Sequence, residues 1–202
     1  MSHPLELERI YAALAQRPSE SVDGPDVDRR AAVAAIVRPS AHDLDVLLIR
    51  RAERPGDPWS GHMAFPGGGH EAHDPDLLAT AIRETHEEVG LSLETSATLV
   101  GPLDDVRAMG RGVPRGLVVR PFLFVLESDR GLRTSAEVAE LHWTPLGPMF
   151  RGERDATLDY PWQGQILQFP GFRLPPPAED RIVWGLTHRM LASLFARVRE
   201  TG

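Results

Sequence analysis

Apolar residues recur along this chain with a helical spacing at three places. The pattern i, i+3, i+4, i+7 predicts amphipathic helices over residues 5–15, 77–89 and 184–198. Gly90 follows the second helix directly, at the position where a left-handed glycine commonly ends a helix. The central helix therefore has a predicted beginning and end, and the residues on its polar face become the first candidates for chemistry.

Short apolar and β-branched runs between these helices predict strands. The predicted strands cover residues 31–37, 46–49, 63–65, 99–103, 117–126, 141–144 and 165–169. Segments rich in glycine, proline and charge predict loops, chiefly 53–61, 107–116 and most of 151–181. Strands mixed with a few helices predict an α/β class, with a sheet covered by helices.

The polar segment 17–28 contains Pro18, Gly24 and Pro25 and predicts a linker. We therefore divide the chain into an N-terminal accessory helix and linker, residues 1–29, and one main domain, residues 30–200. The accessory helix can contribute to a homodimer contact.

Composition then excludes several classes of function. The 22 basic and 29 acidic residues give a net charge of −7, which disfavours nucleic acid held by broad backbone attraction. The chain has no cysteine, so disulfides, thiolate zinc sites and cysteine nucleophiles are excluded. No apolar run approaches the ~20 residues of a membrane span, and no signal-peptide layout is present, so we expect a cytoplasmic protein with no membrane partner.

The central helix carries three carboxylates on one face. At ~100° per residue, Glu84, Glu87 and Glu88 fall within an arc of about 100°, while Leu78, Ile82, Thr85 and Val89 form an apolar stripe beside them. Carboxylates this close repel one another, and a hard divalent cation such as Mg²⁺ or Mn²⁺ would offset that repulsion. A solvated acidic face paired with Arg83 is the simpler alternative. The glycine run 67–69 ahead of the helix favours the metal, because glycine lets backbone approach a phosphate ligand closely.

Residues 68–91 resemble the Nudix box of the Nudix hydrolases, written G-x5-E-x7-R-E-U-x-E-E-x-G-U with U apolar. The second half matches from Arg83 onward, with Thr85 at an apolar position. In the first half Asp74 replaces the glutamate, and eight residues separate it from Arg83. The resemblance covers about residues 30–200. It implies a Nudix fold, with a mixed β-sheet sandwiched between α-helices (α/β/α) and a loop–helix–loop box.

The resemblance also implies an activity, the metal-dependent hydrolysis of a pyrophosphate bond in a nucleoside diphosphate derivative. Asp74 and the extra residue are similar to the coenzyme A pyrophosphatase branch, as are residues 47–51, 60–68 and 184–191. That branch implies coenzyme A or acyl-coenzyme A as substrate, giving 3′,5′-ADP and (acyl-)phosphopantetheine. Proteins of that branch usually carry a Leu-Arg-x-His-x-Gly pattern shortly before the box. The equivalent segment of this chain is Gly56 to His62, and it lacks the arginine and the earlier histidine.

Two alternatives therefore stay open. One is hydrolysis of ADP-ribose or another nucleoside diphosphate-linked metabolite. The other is a non-catalytic Nudix domain that senses a nucleotide. Such sensing domains typically lose box glutamates, and this chain keeps Glu84, Glu87 and Glu88.

The resemblance implies roles for individual residues. Glu84, Glu87 and Glu88 are expected to bind the metal, and Gly68 to shape the loop that brings a backbone carbonyl to it. The residues assigned to catalysis are Glu87, Glu88, Arg83 and Glu140. Within that set, Arg83 is expected to orient a metal-binding glutamate. The general base stays open between a box glutamate, Glu137 and Glu140, because the family often takes a glutamate from a later loop.

Substrate contacts are expected from Arg50, Arg51 and Arg115, the last of which belongs to a set of arginines around a glycine-rich segment: Arg107, Arg111, Arg115 and Arg120. A solvated loop is the alternative for that set. The histidines near the box are interpreted as surface residues: His62, His70, His73 and His86. The four tryptophans are expected mainly in the core, with one able to stack on adenine.

Overall fold

The computed structural model describes residues 5–40, 43–57, 59–110 and 113–201. Within these ranges the helices are α1 (Leu7–Gln16), α2 (Leu77–Val89), α3 (Leu93–Ser96), α4 (Leu146–Phe150) and α5 (Gly185–Glu200). The strands are β1 (Arg29–Pro39), β2 (Leu44–Arg51), β3 (Met63–Ala64), β4 (Gly67–Gly69), β5 (Ala97–Pro102), β6 (Val106–Gly110), β7 (Val113–Leu126), β8 (Val138–Pro145), β9 (Asp155–Trp162), β10 (Gln165–Arg173) and β11 (Ile182–Trp184). The three predicted helices are confirmed.

The larger sheet is mixed and has eight strands in the described residues. Its parallel pair is β1 with β7, and the other pairings are antiparallel. Along one side of β1, residues 31–33 pair with β4 and residues 37–39 pair with β2. This arrangement holds the glycine strand β4 beside the first half of β1, inside the sheet rather than in a surface loop.

Helices cover both faces of this sheet, because successive side chains of a strand point to opposite sides. On β1, Ala32 and Ala34 face the core under α2, whereas Ala31 and Ala35 face the core under α1 and α5. The predicted fold, a mixed sheet between helices, is confirmed.

Two segments expected as loops form hairpins instead. Strands β6 and β7 pair through Met109 with Pro114 and Gly110 with Val113, within the segment 107–116. Strands β9 and β10 pair within 151–181 and form a separate three-stranded sheet with β11. The glycine and proline content of these segments favoured loops. The exposed and half-buried positions of β9 nevertheless alternate as in a strand.

The N-terminal segment is tied to the main body of the protein. Asp104 accepts hydrogen bonds from the backbone N–H of Glu20 at 2.9 Å and from Arg197 Nη1 at 3.0 Å. Ile10 of α1 is fully buried in the core beside α5. The division at residue 30, the homodimer contact and the cytoplasmic location stay predictions. Among the described residues, no helix is both long and apolar enough to cross a lipid bilayer.

Candidate active site

Helix α2 starts and stops where its sequence directs. The carboxylate of Asp76 caps the N-terminus and accepts a hydrogen bond from the N–H of Ala79 at 2.8 Å. At the other end Gly90 adopts a φ of 72°, and its N–H donates to the carbonyl of His86 at 3.0 Å. The carboxylates of the helix are therefore held at defined heights above β4.

Glu88 is the most buried carboxylate of the three, with 3% of its surface exposed. Its Oε2 accepts a hydrogen bond from the N–H of Gly67 at 2.9 Å, and Arg51 Nη1 lies 3.7 Å from its Oε1. Burial, helped by the charges of Glu84 and Glu137, raises the pKa of Glu88 to about 7, although the hydrogen bond from Gly67 and the charge of Arg51 oppose the rise. A carboxyl poised near neutrality this close to a glycine strand is a feature of functional sites.

The orientation of α2 differs from the helical-wheel expectation. Thr85 and Val89 are buried as expected, but Leu78 and Ile82 are only partly buried. The helix is turned so that Glu88 faces the sheet, because the Gly67 N–H on β4 offers its carboxylate a hydrogen-bond partner there.

Glu84 lies against Gly68. A Cβ atom placed on Gly68 would lie 2.4 Å from the carboxyl carbon of Glu84 and within 2.6 Å of both its oxygens. Burial raises the pKa of Glu84, with Arg83 opposing that rise and the charges of Glu87 and Glu137 adding to it. Only glycine at this position leaves room for a carboxylate in direct contact with the β4 backbone.

Arg83 holds the polar face of α2 together. Its guanidinium donates two hydrogen bonds to the buried Asp74, at 2.9 and 3.0 Å, which hold the pKa of that carboxyl well below its usual range. The same Arg83 donates through Nη1 to Glu84 at 2.9 Å and to Glu87 at 3.2 Å, and through Nη2 to the carbonyl of Gly69 at 3.3 Å. Asp74 therefore anchors the arginine, and the arginine positions two of the three glutamates.

A cavity of about 640 Å³ opens beside β4. Its lining includes the three residues of β4, Arg51, Trp59, His62, Trp184, Leu186 and Met190. The volume lies within the range of small-molecule and cofactor pockets, about 300–1,000 Å³. The Nε atom of Arg51 is buried and has no hydrogen-bond partner among the described residues.

Three other predicted site residues, Arg50, Glu137 and Glu140, are absent from the described lining of the cavity. Arg50 Nη1 donates to Glu140 at 3.1 Å, and Arg181 Nη2 donates to the same carboxylate at 2.9 Å. Arg181, followed by His142 and Arg50, lowers the pKa of Glu140 to about 2. Glu137 is half-exposed and pairs with Arg54 at 3.1 Å, and its charge acts on both Glu84 and Glu88.

The remaining candidates divide as follows. The side chain of Arg115, and all of Arg111, lie outside the described residues. Arg107 pairs with Asp26 at 2.6 Å, and Arg120 pairs with Asp105 at 2.7 Å.

The interpretation of His62 as a surface histidine is wrong. Its ring is half-buried against Trp184, and burial lowers its pKa. Arg51 pairs with Asp57 at 3.0 Å and so ties the loop before β3 to the site, a contact that the sequence did not predict. Asp57 lies in the segment 56–62, which differs from the coenzyme A pattern, and that difference was the one feature of the sequence that pointed to Asp57.

Comparisons with known proteins agree with the fold and the box. The model of a family described as the NUDIX domain matches residues 28–167. An uncharacterised Schizosaccharomyces pombe protein is 41% identical over 111 residues, which cover 54% of this chain and 34% of that protein. This chain thus spans about a third of the length of that relative.

Two further proteins match over most of their length. An uncharacterised Nudix hydrolase of an Enterobacter species, NudL, is 32% identical over 183 residues, covering 90% of this chain and 88% of that protein. The crystal structure of a MutT/nudix family protein from Enterococcus faecalis superimposes with a TM-score of 0.54 at 18% identity, covering 96% of this chain and 70% of that chain. This last likeness concerns the fold alone.

Proposed function

This chain belongs to the Nudix family, and from that premise we propose that it hydrolyses the pyrophosphate bond of a nucleoside diphosphate derivative. The observation that carries the proposal is the buried Glu88, whose carboxylate accepts a hydrogen bond from Gly67, and Gly67 in turn lines a cavity large enough for such a substrate. Glu84 lies beside it over Gly68. A cluster of carboxylates at a glycine strand suits a metal-dependent reaction on phosphates.

Nudix hydrolases generally use divalent metals, and the donor set of this chain fits one. Within the described ranges, no three His, Asp or Glu side chains are already arranged as a metal centre. Arg83 and the N–H of Gly67 occupy the carboxylates instead. The raised pKa values of Glu84 and Glu88 mark carboxylates whose charge is poorly compensated, and oxygen donors of this kind suit Mg²⁺ or Mn²⁺.

The proposed division of labour follows from these contacts. Glu84, Glu87 and Glu88 would hold the cation, with the backbone at Gly68 beside them. When bound, it would neutralise charge on the phosphates and make water more acidic. Arg83 keeps Glu84 and Glu87 oriented, and Arg51 lines the cavity where it can donate to a phosphate oxygen.

Coenzyme A or acyl-coenzyme A is the proposed substrate, because three segments of the chain resemble that branch. Water would attack one phosphorus, the P–O–P bond would break, and 3′,5′-ADP and (acyl-)phosphopantetheine would leave with release of a proton. ADP-ribose is the second candidate, because the segment 56–62 lacks the arginine and the earlier histidine of the coenzyme A pattern.

A hydrolysis screen tests the proposal. The protein is incubated at pH 8 with Mg²⁺ or Mn²⁺ and, in parallel, with coenzyme A, ADP-ribose, NADH, diadenosine polyphosphates and nucleoside triphosphates. We expect 3′,5′-ADP from coenzyme A, and no turnover by the variant Glu88→Gln. Turnover of ADP-ribose alone would support the pyrophosphatase reaction and change the assigned substrate from coenzyme A to ADP-ribose. No turnover of any compound by a folded, metal-binding protein would overturn the enzyme and favour a nucleotide sensor.

We propose Glu137, rather than Glu140, as the general base. The charge of Glu137 acts on both Glu84 and Glu88 and raises their pKa values. Neighbouring cations instead lower the pKa of Glu140 to about 2, which makes Glu140 a poor proton acceptor. Glu137→Gln is expected to lower kcat about 100-fold with little change in KM. The matched variant Glu140→Gln is expected to lower kcat less than tenfold. A larger loss of kcat in Glu140→Gln, measured in folded protein, would return the role to Glu140.

A further inference from the structure

One wall of the cavity consists of aromatic rings. Trp59, His62 and Trp184 all line it, and each is half-buried, so that part of each ring stays open to the cavity. The rings of His62 and Trp184 lie 4.6 Å apart between centroids, with an angle of 55° between their planes. This wall belongs to the same cavity as the glycine strand β4, so a single bound molecule could contact both.

The ring of Trp184 also packs against two aromatic rings of the small sheet. Its centroid lies 5.7 Å from that of Tyr160 on β9 and 5.3 Å from that of Phe169 on β10. These distances are typical of aromatic pairs in protein cores. The small three-stranded sheet therefore supports the indole as a rigid surface rather than leaving it as a mobile side chain.

The opposite end of the wall is tied to the carboxylate site. Asp57 accepts a hydrogen bond from the backbone N–H of Trp59 at 2.9 Å and another from Arg51 Nη2 at 3.0 Å. Arg51 in turn lies 3.7 Å from Glu88. The loop that carries Trp59 and His62 is thus set at a defined position relative to Glu88.

The wall has an apolar character that differs from the β4 end of the cavity. Leu186 and Met190 of α5 lie next to it in the lining. Burial lowers the pKa of His62, so its imidazole is mainly neutral at neutral pH. The cavity therefore offers glycine backbone and Arg51 as polar partners, together with uncharged rings.

We propose that the heteroaromatic base of the substrate binds against Trp184 and His62, and that this wall sets the preference for a nucleoside at one side of the pyrophosphate. The inference rests on the proposed function, because it takes the substrate to carry a nucleoside. A flat base suits rigid rings, since stacking of a base on an aromatic side chain raises affinity about tenfold or more. A flexible acyl or pantetheine arm would need apolar area but no ring.

Two small probes isolate the base. AMP and ribose 5-phosphate share the sugar and the phosphate and differ only in the adenine, so the ratio of their dissociation constants reports the contribution of the base. Isothermal titration calorimetry on the intact protein is expected to give AMP an affinity about tenfold higher. The indole N–H signal of Trp184 in an NMR spectrum is expected to shift with AMP and to stay in place with ribose 5-phosphate.

Substitutions then test the wall. Trp184→Leu is expected to reduce the affinity ratio below threefold, whereas Trp184→Phe keeps a ring and most of the ratio. His62→Leu, just before β3, provides a second wall variant that remains informative if Trp184→Leu does not fold. Trp162→Leu is the control, because Trp162 is absent from the described lining of the cavity, and its ratio should equal that of the wild type.

Equal affinities for AMP and ribose 5-phosphate in the wild type would overturn the inference. An unchanged ratio in every folded wall variant would do the same, as would a shift of the Trp184 signal with phosphopantetheine but not with AMP. Hydrolysis in the screen without a preference for AMP over ribose 5-phosphate would support the proposed function and contradict the base-binding role of the wall. A Trp184-dependent AMP preference without hydrolysis of any compound would support the wall and overturn the enzyme.

Discussion

Replacing Glu88 with glutamine is expected to make the metal-free protein more stable at pH 8 while it abolishes hydrolysis. The wild-type carboxyl is 3% exposed, and its pKa is about 7 instead of the ordinary 4.5. That difference corresponds to about 3 kcal/mol of unfolding free energy, which the neutral amide would recover. Glutamine can still accept the hydrogen bond from Gly67 through its amide oxygen.

The gain has a defined dependence on pH. Below pH 4.5 the carboxyl of Glu88 is protonated in both the folded and the unfolded chain, so the substitution changes little. Between pH 4.5 and about 7 the unfolded chain releases the proton and the folded chain keeps it, so wild-type stability falls as pH rises. Above about pH 7 the full difference between variant and wild type is reached. Urea unfolding of both proteins at pH 4.5, 6 and 8, with a chelator present, measures it.

Glu87→Gln is the matched control, because the side chain of Glu87 is 57% exposed on the same helix. It should change the unfolding free energy by less than about 0.5 kcal/mol at every pH. Activity in Glu88→Gln should fall more than about 100-fold, since even the outer partners of metal ligands typically contribute 10–100-fold. An unfolding free energy for Glu88→Gln that follows the wild type at all three pH values would contradict the burial argument.

Gly67→Ala is expected to destabilise the protein by about 3 kcal/mol or more, the upper range for an overpacked core. Gly67 has a φ of 148°, which L side chains rarely adopt. A Cβ atom there would lie 2.3 Å from the carbonyl oxygen of Ala32 and 2.5 Å from Cα of Val33. Both are backbone atoms of β1, the strand paired with β4, so neither can move without breaking the ladder.

The same strand supplies the control. A Cβ atom on Gly69 would meet nothing within 4 Å, so Gly69→Ala should change the unfolding free energy by less than about 0.5 kcal/mol. Urea denaturation of the two variants beside the wild type gives both values. Equal midpoints for Gly67→Ala and Gly69→Ala would show that β4 can shift away from β1, and would remove the steric account of this glycine.

Local patterns in the sequence were sufficient for the box helix. The period of its apolar residues, a capping aspartate at 76 and a glycine at 90 act within a few residues of one another, so α2 follows from short-range chemistry. The burial of Glu88 could not be predicted in the same way. It depends on a backbone N–H of β4, which only the pairing of β4 with β1 brings beneath the helix.

Distant contacts decided the rest of the candidate site. Glu140 and Glu137 lie three residues apart and were equivalent in the sequence, but Arg181, from the segment just before β11, pairs with Glu140 and lowers its pKa. His62 and Trp184 likewise lie far apart in the sequence, just before β3 and at the end of β11, and their rings meet only in the folded chain. Neither contact leaves a periodic signal along the chain.

The family resemblance, the three main helices and the three box glutamates follow from spacing between nearby residues, whereas the glycine run 67–69 was expected as a loop and is a strand of the sheet. The tertiary structure alone decided which glutamate is buried, which arginine lines the cavity and which rings form its wall. The physical reason is that burial, pKa and stacking depend on neighbours from other elements, and those neighbours are supplied by sheet pairing across the whole chain.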